Sequence, residues 1–270
     1  MTEQITMQAL TWKGIAAVIG IILPIIVLIV WKKNQGRIRL KPAVAGAVVF
    51  IIFAQMLETV PKLFLFGDTK ISEYVWSHPW AYVTAGCLLA GIFEEIGRYV
   101  AFRFFLKDYH DRKDAITYGI GHGGIESVLV LGITGISSIG MALAVNQGTL
   151  ESITAGMNAG QIRSVEMQIT ALAGYGAVNM LIEVCERVFA MTLHIALSIV
   201  VFRSVKEKKV SYLFIAVLLH AVFDVPAALY QCGVLPILAT EALLLLTAAG
   251  CAYYARRAYL ALDRRNTFYA

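Results

Sequence analysis

The chain has 270 residues, of which 59% are hydrophobic and only 15% are charged. Its mean hydropathy of +0.70 excludes an ordinary soluble domain, since such domains carry about 25% charged residues. The formal net charge of +5 is spread over short connections between apolar runs, and this pattern excludes a nucleic-acid-binding surface. The composition therefore predicts an integral membrane protein that contacts the lipid bilayer along most of its length.

About seven apolar runs are each long enough to cross a hydrocarbon core roughly 30 Å thick. They leave no room for a soluble domain, so the sequence predicts an all-α, polytopic membrane protein in which residues 1–270 form a single integral membrane domain. The glycines Gly132, Gly135 and Gly140 predict that the fourth run ends early and continues as a bent or interfacial segment. In chain order, the predicted spans are 12–31, 43–66, 80–106, 115–145, 177–202, 212–230 and 235–254.

Most of the 23 basic residues follow the first, third, fifth and seventh predicted spans, and they therefore fall on one side of the membrane. Because short cytoplasmic loops are enriched in Lys and Arg, this asymmetry predicts that the N-terminus is outside and the C-terminus is cytoplasmic. The expected location is a bacterial cytoplasmic membrane, which the chain crosses several times. The polar connection 146–167 is expected on the outer side, either as an interfacial helix or as an irregular loop.

Ionisable side chains occur inside four of the predicted spans, where a charged group costs about 2.5 kcal/mol or more and is usually paired or functional. Within each span most of these residues are separated by three, four or seven positions, so they form a stripe along one helix face. The stripes are Glu94, Glu95 and Arg98; His122 and Glu126; Glu183, Glu186, Arg187, His194 and Ser198; and His220 with Asp224.

Depth in the membrane relates the four stripes to one another. An α-helix rises about 1.5 Å per residue, so Glu95, His122, His194 and His220 are expected roughly 12 to 18 Å from the predicted cytoplasmic face. A shared depth predicts that these side chains converge on one ion or one water molecule. Two further intramembrane acidic residues are predicted to be structural or peripheral, namely Glu58 and Glu241.

Two kinds of chemistry suit this set of residues. Imidazoles with a carboxylate are the ligands of many catalytic zinc sites, in which a further glutamate takes a proton from the bound water. In a centre without metal, Glu94 or Glu95 would be the general base, while the imidazoles orient water and stabilise an oxyanion. Either arrangement hydrolyses an amide or ester bond, so the cofactor is zinc or none. The zinc ligands are then expected to be His122, Glu126, His194 and His220.

Four short motifs on consecutive predicted spans resemble those of a known protein group. The sequence from Glu94 to Arg98 matches the EExxR signature of the CPBP/PrsW-like superfamily of intramembrane proteases, which includes the CaaX prenyl endopeptidases. The sequence from Tyr118 to His122 resembles its FxxxH motif, with Tyr in place of Phe. The remaining two resemblances are His220 to Asp224 with the HxxxN/D motif, and Arg187 with His194 to Ser198 with the additional helix of the PrsW branch.

The run from Gly119 to Glu126 most resembles the YhfC branch, a group of intramembrane metalloproteases. The resemblance covers about 80–230, which is the expected catalytic core, and it implies an endopeptidase that cleaves a membrane-embedded or membrane-anchored protein. Asp224 stands where prenyl endopeptidases have Asn, and no specificity for prenylated substrates is implied. The resemblance implies catalytic roles for Glu94, Glu95, Arg98, His122, His220 and Asp224, and supporting roles for Glu183, Glu186, Arg187 and Ser198.

Two other classes of function remain open from the sequence alone. A transporter or channel would also line a midplane cavity with histidines and carboxylates. The lack of an evident inverted repeat and the clustering on the third to sixth spans count against transport. A non-catalytic membrane scaffold or immunity protein would keep the fold without the activity.

Overall fold

The computed structural model describes residues 4–36, 38–67, 69–157 and 159–266, and within these residues the chain is helical and contains no β-strand. The prediction of an all-α membrane protein is therefore confirmed. The α-helices are α1 Met7–Gln35, α2 Lys41–Phe50, α3 Thr59–Phe66, α4 Lys70–Ser77, α5 Pro79–Val100, α6 Arg112–Ser127, α7 Thr134–Asn146, α8 Leu150–Thr154, α9 Ala159–Ala173, α10 Ala177–Glu207, α11 Ser211–Gln231 and α12 Ile237–Asn266.

Six helical segments of the described chain are long and apolar enough to cross a membrane. Helix α5 is comparable in length but carries Glu94, Glu95 and Arg98, and these charged side chains lower its hydropathy. If α5 also crosses, the count is the predicted seven; that count and the orientation of the termini stay predictions. The six segments are Met7–Gln35, Lys41–Phe66, Arg112–Asn146, Ala177–Glu207, Ser211–Gln231 and Ile237–Leu262.

The fourth predicted span does not end early, contrary to the expectation from its glycines. A π-helical segment at Val128–Ile133 joins α6 to α7 without a break. The glycines instead allow close packing, because a Cβ on Gly132 would lie 2.7 Å from the Ile21 side chain and one on Gly135 would lie 3.0 Å from that of Ala17. The connection that follows contains helices α8 and α9 rather than an irregular loop.

The chain forms two compact units. The first unit comprises Met1–Ile26 and Ser127–Arg187. Its apolar core includes Leu10 and Leu131, and the Asn146 side chain both donates to and accepts from the Ile5 backbone at 2.8 Å. The N-terminal end of α1 is thereby fixed within this unit.

The second unit comprises Val27–Glu126 and Val188–Ala270. Glycines bring its helices close together, since a Cβ on Gly91 of α5 would lie 2.7 Å from the Val217 carbonyl oxygen of α11. A Cβ on Gly119 of α6 would lie 2.5 Å from the Ile195 Cα of α10. These approaches place four polar helix faces next to one another. The prediction of one membrane domain with a catalytic core at about 80–230 stays a prediction.

Candidate functional site

Glu94 lies at the centre of a buried polar cluster in the second unit. Its carboxylate oxygen Oε2 is 2.9 Å from His122 Nε2, 3.8 Å from His194 Nδ1 and 3.9 Å from His220 Nε2. The three imidazoles come from helices α6, α10 and α11, and each is at most 3% exposed. Three histidines that are far apart in the sequence therefore face one carboxylate oxygen.

Glu95 holds the opposite side of the cluster in place. Its two carboxylate oxygens each accept a hydrogen bond of 2.8 Å from Arg98 Nη1, and both side chains are fully buried. The same carboxylate accepts a hydrogen bond of 2.8 Å from His220 Nδ1. The other ring nitrogen, Nε2, faces Glu94 and Asp224, whose Oδ2 is 3.6 Å away. A carboxylate behind an imidazole in this way fixes its tautomer and orientation.

His194 is engaged at both ring nitrogens. Arg98 Nη2 lies 3.1 Å from Nδ1, and because a guanidinium can only donate, Nδ1 accepts. The other ring nitrogen, Nε2, lies 2.5 Å from Glu126 Oε2, which is an ion-pair contact. Arg98 thus contacts both Glu95 and His194, and it links two faces of the cluster.

His122 has one ring nitrogen that is buried without a hydrogen-bond partner among the described residues. Nε2 donates to Glu94, whereas Nδ1 is buried without a partner among the described residues. The ring packs edge-on against Phe50 at 5.1 Å and stacks on Tyr118 at 5.9 Å between centroids. A buried polar atom without a partner costs about 1–3 kcal/mol, so this ring is held by packing at some expense in stability.

The cluster fits a divalent metal ion. Glu94, His122 and His194 each offer a ligand atom, and these atoms lie within 4.8 Å of one another. Two imidazoles and one carboxylate form a donor set found in catalytic zinc sites. The charges are also suitable, because the cluster contains four carboxylates and a single guanidinium. Since both nitrogens of His194 are engaged, a metal bound there has to displace either Arg98 or Glu126.

The structure brings most of the sequence-predicted site residues together. Ser198 is buried beside them, but its hydroxyl donates to the His194 carbonyl at 2.6 Å and thus stays within α10. The roles of all these residues stay predictions. The residues that share the cluster are Glu94, Glu95, Arg98, His122, Glu126, His194, His220 and Asp224.

Three predicted supporting residues belong to the first unit. Glu183 accepts hydrogen bonds from Lys13 Nζ at 2.7 and 3.0 Å and from the Tyr175 hydroxyl at 2.6 Å. Arg187 contacts Glu186 of the same helix at 2.8 Å. The spacing on α10 predicted one continuous stripe, but it carries no information about partners on other helices such as Lys13.

Two features of the site are absent from the sequence-based prediction. Phe50 packs on His122, yet nothing in its apolar run distinguishes it from its neighbours. The sequence also treats Glu94 and Glu95 as equivalent, whereas the structure gives them different partners. Glu58, predicted to be structural or peripheral, forms an ion pair of 2.8 Å with Lys62 one turn away.

The fold and the site define a polytopic helical membrane protein with a buried carboxylate–imidazole centre. The sequence profile of the family described as "YhfC intramembrane metalloprotease" matches residues 19–245. The chain therefore belongs to this family, as the motifs predicted.

A membrane protein named YhfC from Bacillus subtilis (strain 168) is 35% identical over 252 residues, which cover 93% of this chain and 96% of that protein. No solved structure matches the chain. Membership of the wider CPBP/PrsW-like superfamily stays a prediction.

Proposed function

We propose that this protein is an intramembrane endopeptidase that hydrolyses a peptide bond of a membrane-embedded or membrane-anchored protein in a bacterial cytoplasmic membrane. The convergence of three buried imidazoles on Glu94 carries the proposal. The description of the family supports it. The relative from Bacillus subtilis is a membrane protein, which supports the membrane location. Burying so many titratable groups among apolar helices is costly, which favours a role in chemistry over one in stability.

In the proposed reaction, Glu94 Oε2 takes a proton from a water molecule as the water oxygen attacks the carbonyl carbon of the scissile bond. The His122 Nε2–H group, 2.9 Å from that carboxylate oxygen, is placed to donate to the oxyanion that develops. The proton held on Glu94 then passes to the amide nitrogen as the carbon–nitrogen bond breaks. Water supplies all the atoms that the two products gain.

The other members of the cluster position these groups. Arg98 neutralises Glu95, and Glu95 orients His220 so that its Nε2 faces Glu94. The separation of 3.9 Å between His220 Nε2 and Glu94 Oε2 is too long for a direct hydrogen bond and suits a molecule held between them. Asp224 Oδ2, at 3.6 Å, is nearer to that nitrogen than Glu94 Oε2.

A metal ion is compatible with the same proposal. Glu94, His122 and His194 would hold it, and a bound zinc ion would act as a Lewis acid and increase the acidity of its water. With Glu94 engaged as a ligand, the His220 and Asp224 pair remains to accept the proton from the water. His220 is therefore needed for catalysis whether or not a metal is bound.

The experiment compares the N-termini of membrane proteins in cells that carry an empty vector, the wild-type chain, His220→Ala or Thr192→Ala. Thr192 lies on α10, and its hydroxyl only bonds to the Val188 carbonyl at 2.8 Å, so it serves as the matched control. We expect new N-termini with the wild type and with Thr192→Ala, and none with His220→Ala. The same termini in the His220→Ala cells, or no difference between the wild type and the vector, would contradict proteolysis.

A further inference from the structure

A second polar site lies at the end of α5 in the second unit. Here a π-helical segment, Ala101–Phe105, completes the helix and packs beside the last turns of α10. Together with the residues that follow Phe105, the two elements line an open cavity of about 270 Å³. This volume is below the range of about 300–1,000 Å³ that is typical of sites for drug-sized ligands, so the cavity suits a small headgroup rather than a polypeptide segment.

The rim of the cavity is basic. Arg103, Lys107, His110 and Lys206 line it, and no carboxylate is among its lining residues in the described chain. Within the described residues, Arg103, Lys107 and His110 make no hydrogen bond or ion pair, and Lys206 contacts only the Phe202 ring, at 5.9 Å. Arg103, Lys107 and Lys206 therefore present positive charge that no other part of the described chain neutralises.

Basic residues at and just after the end of α10 behave differently. Arg203 donates to Glu207 at 2.8 Å, and Lys209 lies 3.9 Å from the same carboxylate. Glu207 thus pairs with basic residues that lie outside the cavity. The absence of such a partner at the cavity distinguishes it from an ordinary charged helix end.

The floor of the cavity is apolar. Phe102, Leu106 and Phe202 are each at most 3% exposed, and Val205 lies beside them. Basic residues at the rim and apolar residues at the floor would suit an amphiphilic ligand with an anionic headgroup and a hydrocarbon chain. The segment Ala101–Phe105 also exposes two large apolar side chains next to the cavity, Phe104 and Phe105, as expected of a surface that contacts lipid.

We propose that this cavity binds the phosphate headgroup of an anionic membrane phospholipid. Basic side chains next to the ends of membrane helices attract anionic lipids of the cytoplasmic leaflet. The headgroup phosphate contacts Arg103, Lys107 and Lys206, while the first carbons of the lipid lie on the ring of Phe202. The proposal rests on the cavity alone and does not depend on proteolysis.

The test is native mass spectrometry of the purified full-length protein, titrated with phosphatidylglycerol or with phosphatidylcholine. We expect the wild type to retain one phosphatidylglycerol molecule at concentrations where phosphatidylcholine is not retained. Replacing both Arg103→Gln and Lys107→Gln should weaken this retention by about tenfold or more, since it removes two of the cations. Both side chains are exposed, so the fold should tolerate the change, and thermal unfolding of the variant checks this.

Two further variants distinguish a specific lipid-binding site from non-specific attraction of anionic lipids to basic residues. Val205→Trp fills the floor but keeps every cation, and we expect it to lose the retained lipid as well. The double variant Lys32→Gln with Lys33→Gln removes two exposed cations from the end of α1, outside the cavity, and should bind as the wild type does. Normal retention by Val205→Trp, an equal loss in the Lys32 and Lys33 variant, or displacement of the lipid by inorganic phosphate would overturn the proposal.

Discussion

Two polar clusters of this protein show different ways of placing charge among apolar helices. In the first unit, Lys13, Tyr175 and Glu183 satisfy one another, because the ammonium and the hydroxyl both donate to one carboxylate. Lys13 also lies 4.9 Å from the centre of the Tyr175 ring. Burial and the hydrogen bond to Glu183 raise the pKa of Tyr175, so its hydroxyl remains a donor. This cluster has one negative charge for one positive charge.

The Glu94 cluster of the second unit has no such balance. It contains four carboxylates and one guanidinium, and His122 keeps a buried nitrogen without a partner in the described part of the chain. Two contacts of Glu94, at 3.8 and 3.9 Å, are too long for hydrogen bonds. A polar group inside a membrane helix therefore indicates a function only when its neighbours leave its hydrogen bonds or its charge unsatisfied.

The largest difference between the clusters is expected in stability. Arg98→Gln leaves Glu95 buried without its cation, and breaking a buried pair in this way costs about 3–5 kcal/mol of unfolding free energy. Lys13→Gln acts on a pair whose carboxylate is 30% exposed, so we expect a loss of about 1 kcal/mol or less. Titration with denaturing detergent in mixed micelles measures both values. Equal losses would show that the two pairs are equivalent.

Zinc is expected to bind at the Glu94 cluster and not at the Lys13 cluster. Titration of the metal-free protein should show one site, which His122→Ala removes because a ligand is lost. Glu126→Gln should weaken binding by about 10- to 100-fold, since Glu126 orients His194 from the opposite nitrogen. Thr192→Ala should bind as the wild type does. Unchanged affinity in His122→Ala would place the metal elsewhere or exclude it.

A smaller effect is expected from close helix packing around the cluster. Gly119→Ala would place a Cβ 2.5 Å from Ile195 Cα and 2.9 Å from the His194 carbonyl oxygen, so the histidine must move. We expect a loss of about 1–3 kcal/mol of unfolding free energy and weaker zinc binding. Gly140→Ala in the same continuous helix meets nothing within 4 Å and is the matched control. Equal behaviour of the two variants would contradict this packing.

Hydropathy predicted the helices well where their ends are apolar. The sixth predicted span, 212–230, corresponds to Ser211–Gln231. Helix α12 continues to Asn266, well beyond the predicted end at 254, because charged residues can continue a helix after the apolar run has ended. Gly132 and Gly135 show a second reason for error. A glycine is typical both of a helix end and of two helices in close contact, and only the position of the partner helix distinguishes the two cases.

The spacing of the polar residues predicted which side chains share a helix face, and most of them do meet. Spacing could not distinguish Glu94 from Glu95, because their difference arises from Arg98 and His220 on the two sides of Glu95. It also could not show that Glu183 pairs with Lys13, which is 170 positions away. Partners on other helices depend on packing, about which one sequence carries little information.

The most direct test of the central claim measures N-termini of membrane proteins in cells that express Glu94→Gln or Lys13→Gln beside the wild type. Each change removes one charge from one of the two clusters. We predict that Glu94→Gln loses every N-terminus that depends on the wild-type chain, whereas Lys13→Gln keeps them. Retention of these termini by Glu94→Gln, or an equal loss in both variants, would contradict a catalytic centre at Glu94.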